Sequence, residues 1–78
     1  MDKEFSAEAF GKTVRFRPGE KIEHCGKTAR QWHANILHPE HGYISRCLAA
    51  PVRASKATIL HIYAIHKMER EAGGLHWD

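Results

Sequence analysis

The nine residues ARQWHANIL, Ala29 to Leu37, decide how this chain is read. In an extended backbone Trp32, Ala34 and Ile36 fall on one side, and Gln31, His33 and Asn35 on the other. A strand with one apolar and one polar face belongs to an antiparallel sheet that is covered on one side only.

The pattern extends both ways. Toward the N-terminus, TVRFR (13–17) puts Val14 and Phe16 on one face, with Arg15 and Arg17 on the other. Pro18-Gly19 then predicts a chain reversal, because proline presets the first corner of a turn and glycine tolerates the second. KIEHC (21–25) reads as a short second strand ending at a Gly26-Lys27 turn. Toward the C-terminus, HPEHG (38–42) is the next turn and YISRCLAA (43–50) returns as a strand. If residues 38–42 form a five-residue loop, Leu37 pairs with Tyr43 and His33 faces Cys47; a four-residue loop would remove that pairing. Strands joined by short turns predict a meander.

The two ends are read as helical. FSAEAFGK (5–12) predicts a short N-terminal helix capped by Ser6 and stopped by Gly11. Pro51 ends the sheet, and Val52 to Ala72 reads as one long helix stopped by Gly73-Gly74. Leu75 and Trp77 follow as a short tail. The expected architecture is α+β: an antiparallel meander of three or four strands with one C-terminal helix packed on it. With 78 residues the chain forms a single domain spanning 1–78.

The long helix carries apolar residues on two sides. Ala57, Leu60, Ala64, Ile65, Met68 and Ala72 make one stripe, small enough in places to approach a sheet closely. Ile59, Ile62 and Tyr63 lie on another side, with His66 among them. Something must cover that second side. It is either the Phe5/Phe10 segment and the Trp77 tail, or another protein chain.

Charge is uneven. Residues 12–56 hold nine Lys/Arg against Glu20, Glu23 and Glu40, a balance of +6 within a net charge of +3. Arg15 and Arg17 project away from Val14 and Phe16, and Lys21, Lys27, Arg30 and Arg46 would extend the same basic patch. A basic sheet surface can track phosphates. Tyr43 is the available aromatic platform, since Trp32 belongs to the apolar face.

Other chemistries fare worse. The only close pairs near the histidine cluster are His38-x-x-His41 and the adjacent His24-Cys25, with no C-x-x-C, and a His33/Cys47 site would need help from His24 or Cys25. GEKIEHCGKT (19–28) has six residues between its first glycine and GKT where the phosphate-loop pattern has four, and a strand follows it instead of a helix. No elbow, carboxylate pair or room for a deep pocket points to catalysis, so no catalytic, cofactor or metal residue is assigned. No apolar run approaches the about 20 residues that span a bilayer, and MDKEFSAEAFG lacks a leader pattern. A cytoplasmic location with Cys25 and Cys47 reduced is expected.

Two functions follow. The first is a non-enzymatic regulatory module that contacts nucleic acid through Arg15, Arg17, Lys21, Lys27, Arg30 and Arg46. The second is an adaptor or inhibitor, of the kind phages direct against host nucleoprotein complexes. It would dock on a protein, or self-associate, through Ile59, Ile62, Tyr63, His66 and Trp77. A Cys/His metal-binding domain is the third alternative.

Overall fold

A computed structural model describes residues 3–38, 40 and 42–74, with the side chains of His24 and His38 left aside. Four strands, β1 (Phe5–Ala9), β2 (Lys12–His24), β3 (Lys27–His38) and β4 (Gly42–Pro51), precede one helix, α1 (Lys56–Ala72). The strands pair antiparallel in sequence order, β1-β2-β3-β4. The chain is thus an α+β meander with its C-terminal helix packed on one face.

Two of the three hairpins close over two residues. Phe10-Gly11 joins β1 to β2 with φ of 53° and 76°, and Cys25-Gly26 joins β2 to β3 with 54° and 76°. Positive φ at both positions matches the twist of the strands they connect, and glycine at the second makes it inexpensive. The third hairpin has the five-residue register: Leu37 pairs with Tyr43 and His33 with Cys47. The loop positions Pro39 and His41 lie outside the described residues.

The N-terminal segment is a strand, not a helix. Phe5 pairs with Phe16, Ala7 with Val14 and Ala9 with Lys12, which sets all three apolar residues of β1 on one face. Alanine and glutamate favour a helix locally, but a helix of this length is marginal without packing. Docking beside β2 lets Phe5 stack on the Phe16 ring, centroids 5.0 Å apart, and meet Trp32 edge-on at 5.7 Å. Tertiary pairing overrides propensity here.

Pro18-Gly19 does not reverse the chain. β2 runs on through it, and the register shifts between Pro18 opposite Trp32 and Lys21 opposite Arg30. Gly19 and Glu20 thus face Gln31 alone, which is a β-bulge. The extra residue inverts the alternation, so Val14, Phe16 and Pro18 share the covered face while beyond the bulge Lys21 takes that side and Ile22 the other. Glycine is required at 19 by close approach: a Cβ there would lie 2.9 Å from His33 Nε2 and 3.1 Å from the Gln31 carbonyl oxygen. Arg30 Nη1 donates to the Gly19 carbonyl at 2.9 Å and cinches the bulge.

The helix begins four residues later than Val52. Ala54 N–H closes a turn onto the Pro51 carbonyl at 2.9 Å, and Ser55 is the N-cap, accepting from the Thr58 N–H at 3.2 Å. Gly73 is the C-cap, its N–H donating to the Glu69 carbonyl at 3.1 Å.

The core lies between the helix and one sheet face. Val14, Phe16, Trp32, Ala34, Ile36, Leu48 and Ala50 from the sheet meet Ile59 and Tyr63 from α1. Tyr63 packs edge-on to Phe16, centroids 5.5 Å apart, with Phe10 at 6.3 Å. The helix is therefore rotated relative to the sequence expectation. The side carrying Ile59 and Tyr63 is sealed inside a single chain, while Ala57, Ile65, Met68 and Ala72 of the expected sheet-facing stripe are exposed. The aromatic rings of β1, β2 and their turn cause this, because they fill the space beneath the tyrosine. Lys67 completes the buried side, its ammonium over the Phe10 ring at 4.9 Å and bonded to Glu71 at 2.9 Å.

Candidate nucleic-acid interface

Covering one sheet face leaves the other open. Alternation puts Ser6 and Glu8 of β1, Thr13, Arg15 and Arg17 of β2, Gln31, His33, Asn35 and Leu37 of β3, and Tyr43, Ser45 and Cys47 of β4 on that open face. The registers align these residues across the strands. Ser6, Arg15, Asn35 and Ser45 form one row; Arg17, His33 and Cys47 form the next. Leu37 and Tyr43 pair beyond the first row and are 55% and 74% exposed. A shallow cavity of about 460 Å³ is lined by Ser6, Thr13, Arg15, Asn35, Leu37 and Tyr43. It combines a guanidinium, an amide, two hydroxyls and an upright aromatic ring.

Acidic groups tune this face at its rim. Thr13 Oγ1 donates to a carboxylate oxygen of Glu8. Arg17 Nε stands 3.8 Å from Glu4, both side chains more than half exposed, so the pair is weak and salt-sensitive. His33 Nδ1 lies 3.4 Å from Cys47 Sγ. Both free cysteines, Cys25 and Cys47, are exposed.

The six basic residues expected on one surface divide between two. Arg15 and Arg17 stand together on the open face. Arg30 pairs with the buried Ala50 and Arg46 with the buried Ala34, so both belong to the helix side of the sheet and are half-buried there. Lys21 is opposite Arg30, on that same side past the bulge. Lys27 lies at the β2–β3 tip, beside Cys25, Ala49 and Pro51. The bulge is the physical reason for the split, together with the odd and even positions at which the arginines fall. Asn35, Ser6 and Leu37 complete the open face and were missed as site residues. For Asn35 and Leu37 the signal was present in the alternation of ARQWHANIL, which put Asn35 on the polar side; Ser6 gave none, because its segment reads as a helix with Ser6 as the cap.

The helix residues expected to dock a partner are corrected as well. Ile59 and Tyr63 are core, and Ile62 packs half-buried against the same cluster. His66 is half-buried and borders a cavity of about 230 Å³ with Ile22, Gln31, Cys47, Leu48 and Ala49. Trp77 lies outside the described residues.

Among the described residues no three His, Cys, Asp or Glu converge on a metal position, and no helix is long and apolar enough to cross a membrane. Neither His24 nor Cys25 assists His33 and Cys47. His24 pairs with Lys27, about 20 Å along β3 from His33 at some 3.3 Å per residue. No family model, curated protein or solved structure matches the chain.

Proposed function

We propose that this chain is a non-enzymatic binding module that contacts nucleic acid through the open face of its sheet. The observation that carries this reading is the row geometry. Arg15 and Arg17 rise from alternate positions of β2, roughly 6.6 Å apart along the strand, beside a cavity walled by Asn35 and the exposed Tyr43 ring. Guanidiniums neutralise phosphates, and an aromatic ring offers a base a stacking surface without demanding a sequence. Arg30 and Arg46, on the helix side, fall outside this contact. Lys27 contributes at the margin.

Labelled single-stranded and duplex oligonucleotides, titrated by fluorescence anisotropy at two salt concentrations, test the reading. Arg15→Ala/Arg17→Ala should weaken binding tenfold or more and lower the slope of log affinity against log salt by roughly 1.4–1.8, the effect of two lost phosphate contacts. Arg46→Ala should leave that slope unchanged. Absence of binding at low salt rejects the reading.

One observation favours a protein contact as the second reading. Ile65 and Met68 are 38% and 60% exposed on the side of α1 turned away from the sheet, with Ala57 and Ala72 in line. An adaptor or inhibitor would dock there and not through Ile59 or Tyr63. Met68→Glu should then abolish the association while the melting temperature stays within about 2–4 °C of the parent, as for an exposed site. Retained association in that variant would refute the docking surface.

A further inference from the structure

We infer that this chain pairs with a second copy of itself through β4, edge to edge and antiparallel, so that the two sheets become one. The sheet ends on β1 and β4, and the two edges differ. β1 is five residues long and carries Glu8. β4 is ten residues long, its register against β3 is unbroken from Gly42 to Pro51, and Arg46 is its one charged residue. Short length, bulges, prolines and charges are what keep a sheet edge from pairing, and before Pro51 the strand β4 has a single arginine in place of them. Among the described residues no strand lies on its outer side, and Tyr43, Ser45 and Cys47 are exposed.

Pro51 shows which backbone groups face outward. Its carbonyl accepts from the Ala54 N–H instead of from β3, and a proline in a strand turns its missing donor away from the neighbouring strand. In an antiparallel ladder the outward positions alternate, so Ala49, Cys47, Ser45 and Tyr43 present N–H and C=O groups to a further strand. A second β4 suits that place. A two-fold axis must set outward residues against outward residues, and two registers do so over most of the strand. One puts Arg46 directly against Arg46 of the second copy, and like charges so placed are destabilising. The other is centred on Cys47. It sets Arg46 beside Leu48 of the second copy, Ser45 beside Ala49 and the half-buried Ile44 beside Ala50, and it forms about six backbone hydrogen bonds. This pairing is independent of any nucleic-acid contact.

Sedimentation equilibrium of the reduced full-length chain, without nucleic acid, should show a mass that rises with concentration from 8.9 kDa toward twice that value. Ser45→Pro removes an outward N–H and no bond to β3, so it should weaken the dimer at least tenfold. Met68→Glu, on the side of α1 turned away from the sheet, should leave the dimer unchanged. Oxidation with diamide gives a reading that needs no proline. The Cα atoms of a hydrogen-bonded antiparallel pair stand about 5.5 Å apart, within the span of a disulfide. Cys25→Ser, which keeps Cys47, should therefore form a linked dimer at least tenfold faster than Cys47→Ser, which keeps Cys25. Both cysteines are exposed, so accessibility alone would make the two rates similar. Circular dichroism of each variant confirms the fold. The pairing is overturned by a parent that stays monomeric at about 0.1 mM, where a dimer of micromolar affinity is nearly saturated. A folded Ser45→Pro that dimerises like the parent, loss of the dimer in Met68→Glu, or equal linkage through the two cysteines overturns it as well.

Discussion

Ile59→Asp should leave the chain unfolded at room temperature. Ile59 is wholly buried against Tyr63 and the sheet. A carboxylate there either ionises without a partner or takes up a proton to remain neutral, and either route costs several kcal/mol. The substitution also removes an isoleucine from the core, worth roughly another 2–5 kcal/mol by comparison with large-to-small replacements. A domain of this size has at most about 5–15 kcal/mol of stability to lose. Far-ultraviolet circular dichroism showing a random-coil spectrum is the expected reading. A cooperative melt close to the parent's would mean that the helix packs on the sheet through another side.

Trp32→Ala should cost roughly 3–5 kcal/mol, enough to bring the chain near the midpoint of unfolding. Trp32 is 1% exposed, lies between Pro18 of β2 and Leu48 of β4, and meets Phe5 edge-on. Tyr43→Ala provides the contrast. That ring is 74% exposed on the open face, so its loss should shift stability by under about 0.5 kcal/mol. It should still weaken single-strand binding by the roughly 1–3 kcal/mol of one stacked base. Urea denaturation of the two variants, set beside anisotropy titration of Tyr43→Ala, separates the aromatic that holds the fold from the one that serves the surface. Equal destabilisation by both would contradict this division.

What could be read from the residues, and what could not, divides along physical lines. ARQWHANIL alternates without exception from Gln31 to Ile36, so its strand and its two faces were legible. The His33–Cys47 pairing also followed once the loop length was chosen. The segment from Phe5 to Ala9 was not legible, because alanine and glutamate satisfy a helix as readily as Phe5, Ala7 and Ala9 satisfy a strand. Only pairing with β2 separates the two. Pro18-Gly19 carries the same residues whether it turns the chain or bulges it, and the difference lies in whether Lys21 finds Arg30 across the strand. For the helix, Ile59/Tyr63 and Leu60/Ile65/Met68 are comparably apolar. Phe10 and Phe16 packing against Tyr63 settle which side meets the sheet, and no periodicity within the helix encodes those distant contacts. The basic patch was misjudged for a related reason. Charge summed over residues 12–56 ignores the parity that puts Arg15 and Arg17 on one surface and Arg30 and Arg46 on the other.

The strand order has a consequence for how the molecule assembles. Since each strand pairs only with its predecessor and successor, every backbone ladder closes a short stretch of chain, a topology whose loop-closure entropy is small and whose search is fast. The sheet can zip up hairpin by hairpin during synthesis, but its oily underside stays wet until Ile59 and Tyr63 arrive. The helix follows the sheet along the chain, so a sheet formed before Ile59 and Tyr63 dock leaves its apolar face uncovered and open to aggregation.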